Sequence, residues 1–316
     1  MDLAHSATQP AATEPAVTGP VATWLAPAKI NLALHVTGRR SDGYHLLESL
    51  VVFTRFGDRL HIEPAASDGL AVEGPFAGQL DAGDGNLAVR AREALRNAMP
   101  EAARTALSPV SIRLEKNLPV ASGIGGGSSD AAAVLHCLNR LWRCGLDDRA
   151  LAEIGAGLGA DVPMCLAARP LVARGIGDIV EPAADFPALA LVLVNPGVAV
   201  ATPDVFARLT RRDGESLPPL PRTIDFHSLR NWLATTRNDL EPAARAVQPV
   251  IGEALAALNR AGSGFSRMSG SGATCFGLFE TGNVAKRAAL AIRARHPGWF
   301  VAATRSTPSP VENGAP

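Results

Sequence analysis

Between Leu118 and Ala133 the chain reads LPVASGIGGGSSDAAA, and the residue types in this stretch point to one kind of chemistry. Gly123, Gly125, Gly126 and Gly127 fall within five residues, and Ser128, Ser129 and Asp130 follow before an apolar helical pattern begins. Glycines cluster where a backbone must turn tightly and approach another group closely. A helix that starts directly after such a loop points its free N–H groups and the positive end of its dipole into the space beyond, a site for anions and above all for phosphate. A merely tight strand-to-helix turn needs one or two glycines, not four. Two common phosphate loops are excluded. The dinucleotide fingerprint would need glycine at position 128, where Ser128 stands, and a long βαβ series before it. The P-loop needs a Gly-Lys pair, which occurs nowhere in the chain. The protein-kinase catalytic loop and D-F-G are missing too.

Three further places carry candidate chemistry. In WLAPAKINLALHV, residues 24–36, Ile30, Leu32, Leu34 and Val36 alternate with Lys29, Asn31, Ala33 and His35, so a strand with one apolar and one polar, half-exposed face is expected. The chain has only three lysines, Lys29, Lys116 and Lys286, its other cations being arginines. A lysine at position 29 suits a point charge held against a phosphate. The only tyrosine, Tyr44, follows the turn residues Ser41, Asp42 and Gly43 and precedes His45. Two readings stay open there: a turn tyrosine lying over a strand end, or an aromatic face for a flat ligand with a ring nitrogen beside it. Asp161, in GLGADVPMCL, sits two residues before Pro163, where a carboxylate is either an ordinary helix N-cap or a group kept for chemistry.

The elements that must position these residues follow from periodicity. Strands are expected at 46–53, at 59–63 after a Gly57-Asp58 turn, and at 110–114 leading into the glycine loop. A helix covers 86–98. Another starts with Ser128 or Ser129 as N-cap and ends near Gly145, and a third spans 147–155. From about Ala173 the texture changes: strands at 176–180 and 189–194, then a helix with Thr202 as cap and Pro203 at its first position. A polar, proline-rich loop spans 211–223, with helices at 226–234, 240–247 and 250–260. A hairpin follows around Gly270 and Gly272, then a strand at 274–279, a helix at 284–295 and a closing strand at 299–304. Strand, helix, strand, strand, helix, strand is a split β-α-β sandwich with added helices.

Composition bounds the rest. With 316 residues and 47% apolar content, one large or two ordinary domains can form a sizeable core. Zero formal net charge gives no electrostatic case for nucleic acid or an anionic membrane surface. No apolar run reaches about 18 residues, so no transmembrane helix is expected. Cys137, Cys144, Cys165 and Cys275 are scattered without a C-x-x-C, which argues against structural zinc and a disulfide scaffold and fits a reducing cytoplasm. The first 20 residues are rich in Ala, Thr and Pro, lack Lys and Arg, and fail as a secretory signal.

Lys29 in PAKINLALHVTGRRSDGYH, the loop PVASGIGGGSSDAAA, Asp161 in GADVPMCL and the late MSGSGATCFGLF stand in an order that resembles the GHMP small-molecule kinases. Within them, DGYH and the triple glycine before SSDAAA are similar to the branch whose acceptor alcohol is carried on a cytidine diphosphate. The resemblance runs from about Trp24 to Thr304; Ala121-Ser122 stand where the family loop often reads glycine-alanine. It implies an α/β (α+β) fold of two domains. Residues 22–172 would form an N-terminal ATP-binding domain like the second domain of ribosomal protein S5. Residues 173–307 would form a ferredoxin-like substrate domain, with a disordered extension at 1–21 and a loose tail at 308–316. The implied reaction is transfer of the ATP γ-phosphoryl group to the 2-hydroxyl of a methylerythritol unit, on the non-mevalonate route to isoprenoid precursors. ATP is the co-substrate; Mg2+ is expected with its ligands unassigned. By the same resemblance Asp161 is the catalytic aspartate and Lys29 its neighbour. Pro119, Val120, Ala121, Ser122, Gly123, Ile124, Gly125, Gly126, Gly127, Ser128 and Ser129 hold the ATP phosphates. Tyr44 and Phe206 sandwich the cytosine, His45 hydrogen-bonds it, and Asn31 and Thr202 lie near the substrate. Partners are expected to be the small-molecule substrate, with no nucleic acid and no membrane, for a cytoplasmic monomer or homodimer.

Overall fold

The computed structural model describes residues 22–310, so the expected extension at 1–21 and the tail from 311 lie outside the described residues. The chain first forms β1 (Ala22–Arg39), β2 (His45–Pro64), β3 (Gly69–Glu73), α1 (Leu87–Ala98), the short α2 (Glu101–Arg104), β4 (Val110–Glu115), α3 (Gly126–Leu141), α4 (Asp148–Ala156), α5 (Val162–Ala167), β5 (Leu171–Arg174) and β6 (Ile179–Pro182). It continues with β7 (Ala190–Asn195), α6 (Thr202–Ala207), α7 (Phe226–Ala234), α8 (Glu241–Val247), α9 (Val250–Arg260), β8 (Phe265–Met268), β9 (Cys275–Phe279), α10 (Gly282–Arg295) and β10 (Phe300–Arg305).

The first sheet is built on β2. β1 pairs antiparallel along one edge of it, and the other edge is shared: β4 takes residues 59–64 and β5 residues 49–51. The strand order is β3-β4-β2-β5-β6, with β1 on β2. The turn expected at Gly57-Asp58 is not formed; both residues lie inside β2. A Cβ at Gly57 would fall 2.0 Å from the Ala26 carbonyl oxygen, so the glycine admits the close approach of β1 beside its bulge and does not turn the chain. The single strand expected at 176–180 is a hairpin instead. Gly175 and Gly177, at φ +68° and +107°, make the turn between β5 and β6. The expected boundary between residues 172 and 173 falls inside β5, and the first sheet runs on to Pro182.

The second sheet has the order β10-β7-β9-β8, antiparallel throughout. Counted from β7, that is four-one-three-two, the ferredoxin-like arrangement, with α6 to α9 inserted in the first crossover and α10 in the second. The chain does not come loose at 308: Thr307 N–H donates to Phe53 O at 2.7 Å, and Ser309 N–H to Phe186 O at 2.9 Å.

Three apolar clusters stack in layers. One lies between the first sheet and α1, α3, α4 and α5; another lies between the second sheet and α6, α8, α9 and α10. The third joins the two sheets, with Ile30, Leu32, Leu50 and Val52 against Leu191, Leu193, Phe276 and Leu278. β1 therefore has no half-exposed face: Lys29, Asn31 and His35 are as buried as the apolar residues between them. His35 is satisfied there as a structural group. Its Nε2 accepts from the Arg237 N–H at 3.1 Å, which places its proton on Nδ1, donated to Glu215 O at 2.9 Å. Burial holds its pKa below the usual histidine value, so the ring stays neutral.

Arg267, on β8, ties the two sheets to α7. Its guanidinium donates to Leu32 O at 2.9 Å on β1 and to Leu233 O and Thr236 O at 3.0 and 2.6 Å, at the end of α7. A cation there complements the helix C-terminus and covers its orphan carbonyls. Arg267→Ala is expected to cost about 3 kcal/mol, because charge-assisted bonds vanish and buried acceptors are left bare. A urea midpoint within error of the parent would remove this role.

Candidate active site

β1, the glycine loop and α5 meet at one point. A bulge between Pro27 and Lys29 shifts β1 out of strict alternation. The Lys29 ammonium donates to Asp161 Oδ2 at 2.6 Å, across 132 residues of sequence. The lysine side chain is 7% exposed and the aspartate 39%, so the pair is buried on the strand side and open on the cleft side. Asp161 does occupy the N-cap position of α5, but its side chain makes no capping bond; the carboxylate is turned to Lys29 instead.

The glycine loop is held from three directions. Lys29 N–H donates to Ile124 O at 2.9 Å, Thr274 N–H to Ser122 O at 3.1 Å, and Ser269 Oγ to Gly123 O at 3.0 Å. Gly123 adopts φ +75°, and a Cβ there would lie 2.3 Å from the Ser269 carbonyl oxygen, so the loop and the β8–β9 turn touch backbone to backbone. Helix α3 does not begin after a serine cap, as expected. Its N-cap is Gly125, left-handed at φ +66°, and Ser128 and Ser129 sit in the first turn. The physical difference matters: a serine cap would cover an N–H of the first turn with its own hydroxyl, whereas a glycine cap leaves those donors for a ligand.

The open space divides into two connected parts. The main cleft, about 330 Å³, is lined by Lys29, Asn31 and Asp161, by Ala121, Ser122, Gly123 and Gly125–Ser128 of the loop, and by Thr202 and Phe206 from the second sheet's side. An adjoining groove of about 440 Å³ is lined by Pro119, Val120, Asn86, Leu80 and Leu87, and it shares Ala121, Gly126, Gly127 and Leu87 with the cleft. The two meet over the N-terminus of α3. Ile124 and Ser129 face inward: Ile124 is core, and the Ser129 hydroxyl donates to Pro27 O at 2.7 Å.

Asn31 is positioned with care. Its Nδ2 donates to Ser49 Oγ at 2.7 Å and its backbone N–H to Ser269 Oγ at 3.0 Å, while Oδ1 is buried without a partner among the described residues. Thr202 Oγ1 and Ser271 Oγ lie 2.8 Å apart. Tyr44 and His45 are not in the lining of the cleft. Tyr44 stands 61% exposed at the tip of the β1–β2 hairpin. The expected pairing of Tyr44 with Phe206 is not assembled; it is His45 whose ring stacks on Phe206, at 4.8 Å between centroids. Burial, with Arg39 and Arg212 nearby, lowers the His45 pKa, and its buried Nε2 has no partner among the described residues.

Two groups were not among the expected site residues, although the motif MSGSGATCFGLF was singled out in the sequence. Gly270 and Ser271 complete the cleft from the second sheet, with Ser269 buried behind them against the glycine loop and Asn238 Nδ2 bonded to Met268 O and Gly270 O at 2.8 and 2.9 Å. Their signal was the repeated serine and glycine of MSGSG. Beneath the loop, Lys116 bridges Asp58 and Asp130 at 2.5 and 2.7 Å. The rarity of lysine marked Lys116 as plainly as it marked Lys29.

Residues 86–169 match the GHMP kinases N terminal domain and residues 220–298 the GHMP kinases C terminal domain. The chain is 69% identical over 290 residues to a 4-diphosphocytidyl-2-C-methyl-D-erythritol kinase of Mesorhizobium japonicum, covering 92% of this chain and 97% of the relative. A crystal structure of 4-(cytidine 5'-diphospho)-2C-methyl-D-erythritol kinase superposes with a TM-score of 0.74 at 37% identity, over 90% of this chain and 99% of the other. A homoserine kinase from Cytophaga hutchinsonii shares the fold, with a TM-score of 0.65 at 16% identity over 94% and 97% of the two chains.

Proposed function

The chain belongs to the GHMP kinases, among the 4-diphosphocytidyl-2-C-methyl-D-erythritol kinases, and we propose that Lys29 and Asp161 carry its phosphoryl transfer at the cleft below the glycine loop. The enzyme is an ATP-dependent kinase of the non-mevalonate isoprenoid route, moving the γ-phosphoryl group to the 2-hydroxyl of the cytidyl-linked methylerythritol. The observation that carries the assignment of residues is the 2.6 Å ion pair between Lys29 and Asp161, open to the cleft and flanked by uncovered helix N–H donors.

The chemistry follows from the parts. Phosphoryl transfer has a loose transition state with charge spread over the phosphoryl oxygens, so positioning and charge stabilisation supply most of the rate. The amides of Gly123 and of Gly125 to Ser128 cradle the β- and γ-phosphates, and the N-terminus of α3 meets their charge. The adenine side of ATP lies in the adjoining groove, between Leu80, Leu87 and Val120. Asp161 receives the hydrogen bond of the acceptor hydroxyl on its cleft side and takes the proton as the oxygen attacks. Lys29 fixes the other carboxylate oxygen and sets a positive charge beside the moving phosphoryl group. The free Oδ1 of Asn31 accepts from a further hydroxyl of the acceptor, and Thr202 borders the same space. Mg2+ would accompany ATP and would supply positive charge against its phosphates. Among the described residues no group of three His, Cys, Asp or Glu side chains gathers to hold an ion without it.

The cytosine is bound on the aromatic side: His45 gives up its stacking on Phe206 to admit the base, Tyr44 folds over from the hairpin, and the neutral His45 ring turns its unpartnered nitrogen to the base edge. Stacking tolerates any flat base, so the hydrogen bond selects cytosine. We place the enzyme in the cytoplasm, as a monomer or homodimer without a nucleic-acid partner. Formal net charge is zero, and among the described residues no helix is long and apolar enough to cross a membrane.

Asp161→Asn is expected to lower kcat by about 100- to 10,000-fold with ATP binding retained; turnover near the parent's would take Asp161 out of the chemistry. Tyr44→Ala should raise KM for the cytidyl substrate about tenfold, from about 1–2 kcal/mol of stacking, and spare the ATP KM. Because the ring is exposed in the free chain, stability should not move, so an unchanged substrate KM would refute the stacking role. Across acceptors including homoserine and mevalonate, ADP release is expected with the cytidyl alcohol alone; comparable turnover of either other alcohol would overturn the substrate assignment.

A further inference from the structure

Directly under the glycine loop lies a charge cluster that the transfer itself does not use. Asp58, on β2, accepts from Lys116 Nζ through Oδ2 at 2.5 Å and from the backbone N–H groups of Asn117 and Leu118 through Oδ1 at 2.6 and 2.8 Å. Lys116 Nζ also donates to Asp130 Oδ2, in the first turns of α3, at 2.7 Å. The three side chains are 0%, 2% and 3% exposed. Asp130 Oδ1 has no partner among the described residues. A Cβ at Gly126, the first residue of α3, would sit 3.1 Å from Lys116 Nζ and 3.6 Å from Asp58 Oδ2, so the cluster forms the floor of the loop. Both ends of the loop thus fasten to one ammonium: the incoming strand through Asp58 and the outgoing helix through Asp130.

We propose that Asp58, Lys116 and Asp130 are the positioning residues of the phosphate loop, and that a proton held on Asp130 strengthens the loop's grip on ATP. This rests on the loop being the ATP phosphate site. Two carboxylates around one ammonium leave a net negative charge in a dry interior, which is costly unless one carboxylate is neutral. The proton belongs on Asp130, because Asp58 is engaged by three N–H donors and Asp130 by one. Burial pushes the Asp130 pKa up to about 7, against the pull of Lys116 and with the help of Asp58. Burial also pulls at Lys116, but its two carboxylates hold its pKa above the ordinary lysine value, so it stays charged.

Other charged groups do not cancel the effect. Lys29 and Asp161, beyond Gly125, form a closed pair. Asp81 borders the adjoining groove with Asp130 and adds negative charge. The Cys165 thiol, against Ser129, is kept neutral by burial, its pKa pushed up to about 12. With Asp130 protonated the cluster is neutral under the triphosphate; with Asp130 ionised it is net negative and repels it. Bound ATP therefore raises the proton affinity of Asp130, and by reciprocity the proton raises ATP affinity. The sign is fixed: below about pH 7 the grip is tight, and it loosens as pH rises through that value.

The test is the ATP KM between about pH 6 and 8 for the parent and for Asp130→Asn, whose amide stands permanently for the neutral carboxyl. The titration of ATP itself is common to both and cancels in the ratio. From the low to the high end of this range the parent's ATP KM is expected to rise about fivefold relative to the variant's, the low end of ordinary coupling between sites, while the cytidyl-substrate KM follows one course in both. Identical pH dependence of the ATP KM in the two proteins would overturn the proton linkage. Lys116→Met tests the anchoring, with its melting temperature measured alongside. A rise in ATP KM well beyond any rise in cytidyl-substrate KM supports positioning; equal rises in both would make the cluster merely structural. If Lys116→Met does not fold, the Asp130→Asn comparison decides alone. Gly127→Val, which narrows the loop without touching the cluster, tests the loop assignment separately: an unmoved ATP KM there would sink the underlying reading.

Discussion

A loop of glycines has no stiffness of its own. Each glycine loses more conformational freedom on ordering than any other residue, so the shape of such a loop must be imposed from outside. Here the constraint comes from every side. The backbone of β1 holds Ile124, the β8–β9 turn holds Ser122 and Gly123, and a buried ion cluster holds both flanks. The second domain therefore helps to set the shape of the glycine loop and is not just a wall opposite it. A cradle fixed in this way can offer its amides without reorganising when the phosphoryl group moves, which is the condition for electrostatic preorganisation.

The buried polar residues of β1 show the same economy. Packing a second sheet on the first would normally require an apolar strand on both faces. β1 instead carries Lys29, Asn31 and His35 into the interior, and each side chain is matched: Lys29 by Asp161 and His35 by Arg237 from far along the chain, and Asn31 Nδ2 by Ser49 on the neighbouring β2. The fold tolerates them because every match is complete except at Asn31 Oδ1, which has no partner among the described residues.

The parts of the site legible in the sequence were those whose residue types are demanded by chemistry at one place: the glycine loop, the rare Lys29, and Asp161 in its short turn. The order of the second sheet was also readable, since its strands and helices carry clean periodicity. The misreadings share a cause. Gly57-Asp58 has the local signature of a turn, but its glycine answers a bulge in another strand and its aspartate an ammonium 58 residues away. Ile176-Gly177 reads as part of a strand because its apolar character hides a turn that depends on two left-handed glycines. The polar face of β1 read as solvent-facing because nothing local announces a covering sheet. The Asp58–Lys116–Asp130 cluster is dispersed over β2, the segment after β4 and α3, so the rarity of lysine marks Lys116 but nothing local shows which carboxylates meet it.

The outer edge of β1 has its own history during synthesis. That edge is closed by the chain at Gly214 and by residues 237–239; the carboxylate of Asp239 takes the Val36 N–H at 2.7 Å, 203 residues downstream. At about 5–20 residues per second, a ribosome needs about 10–40 s to make that span. For that interval an 18-residue strand stands beside its hairpin partner with its other row of amides open. An open strand edge pairs readily with foreign strands. The nascent chain thus carries an uncovered strand edge that closes only when the second domain emerges.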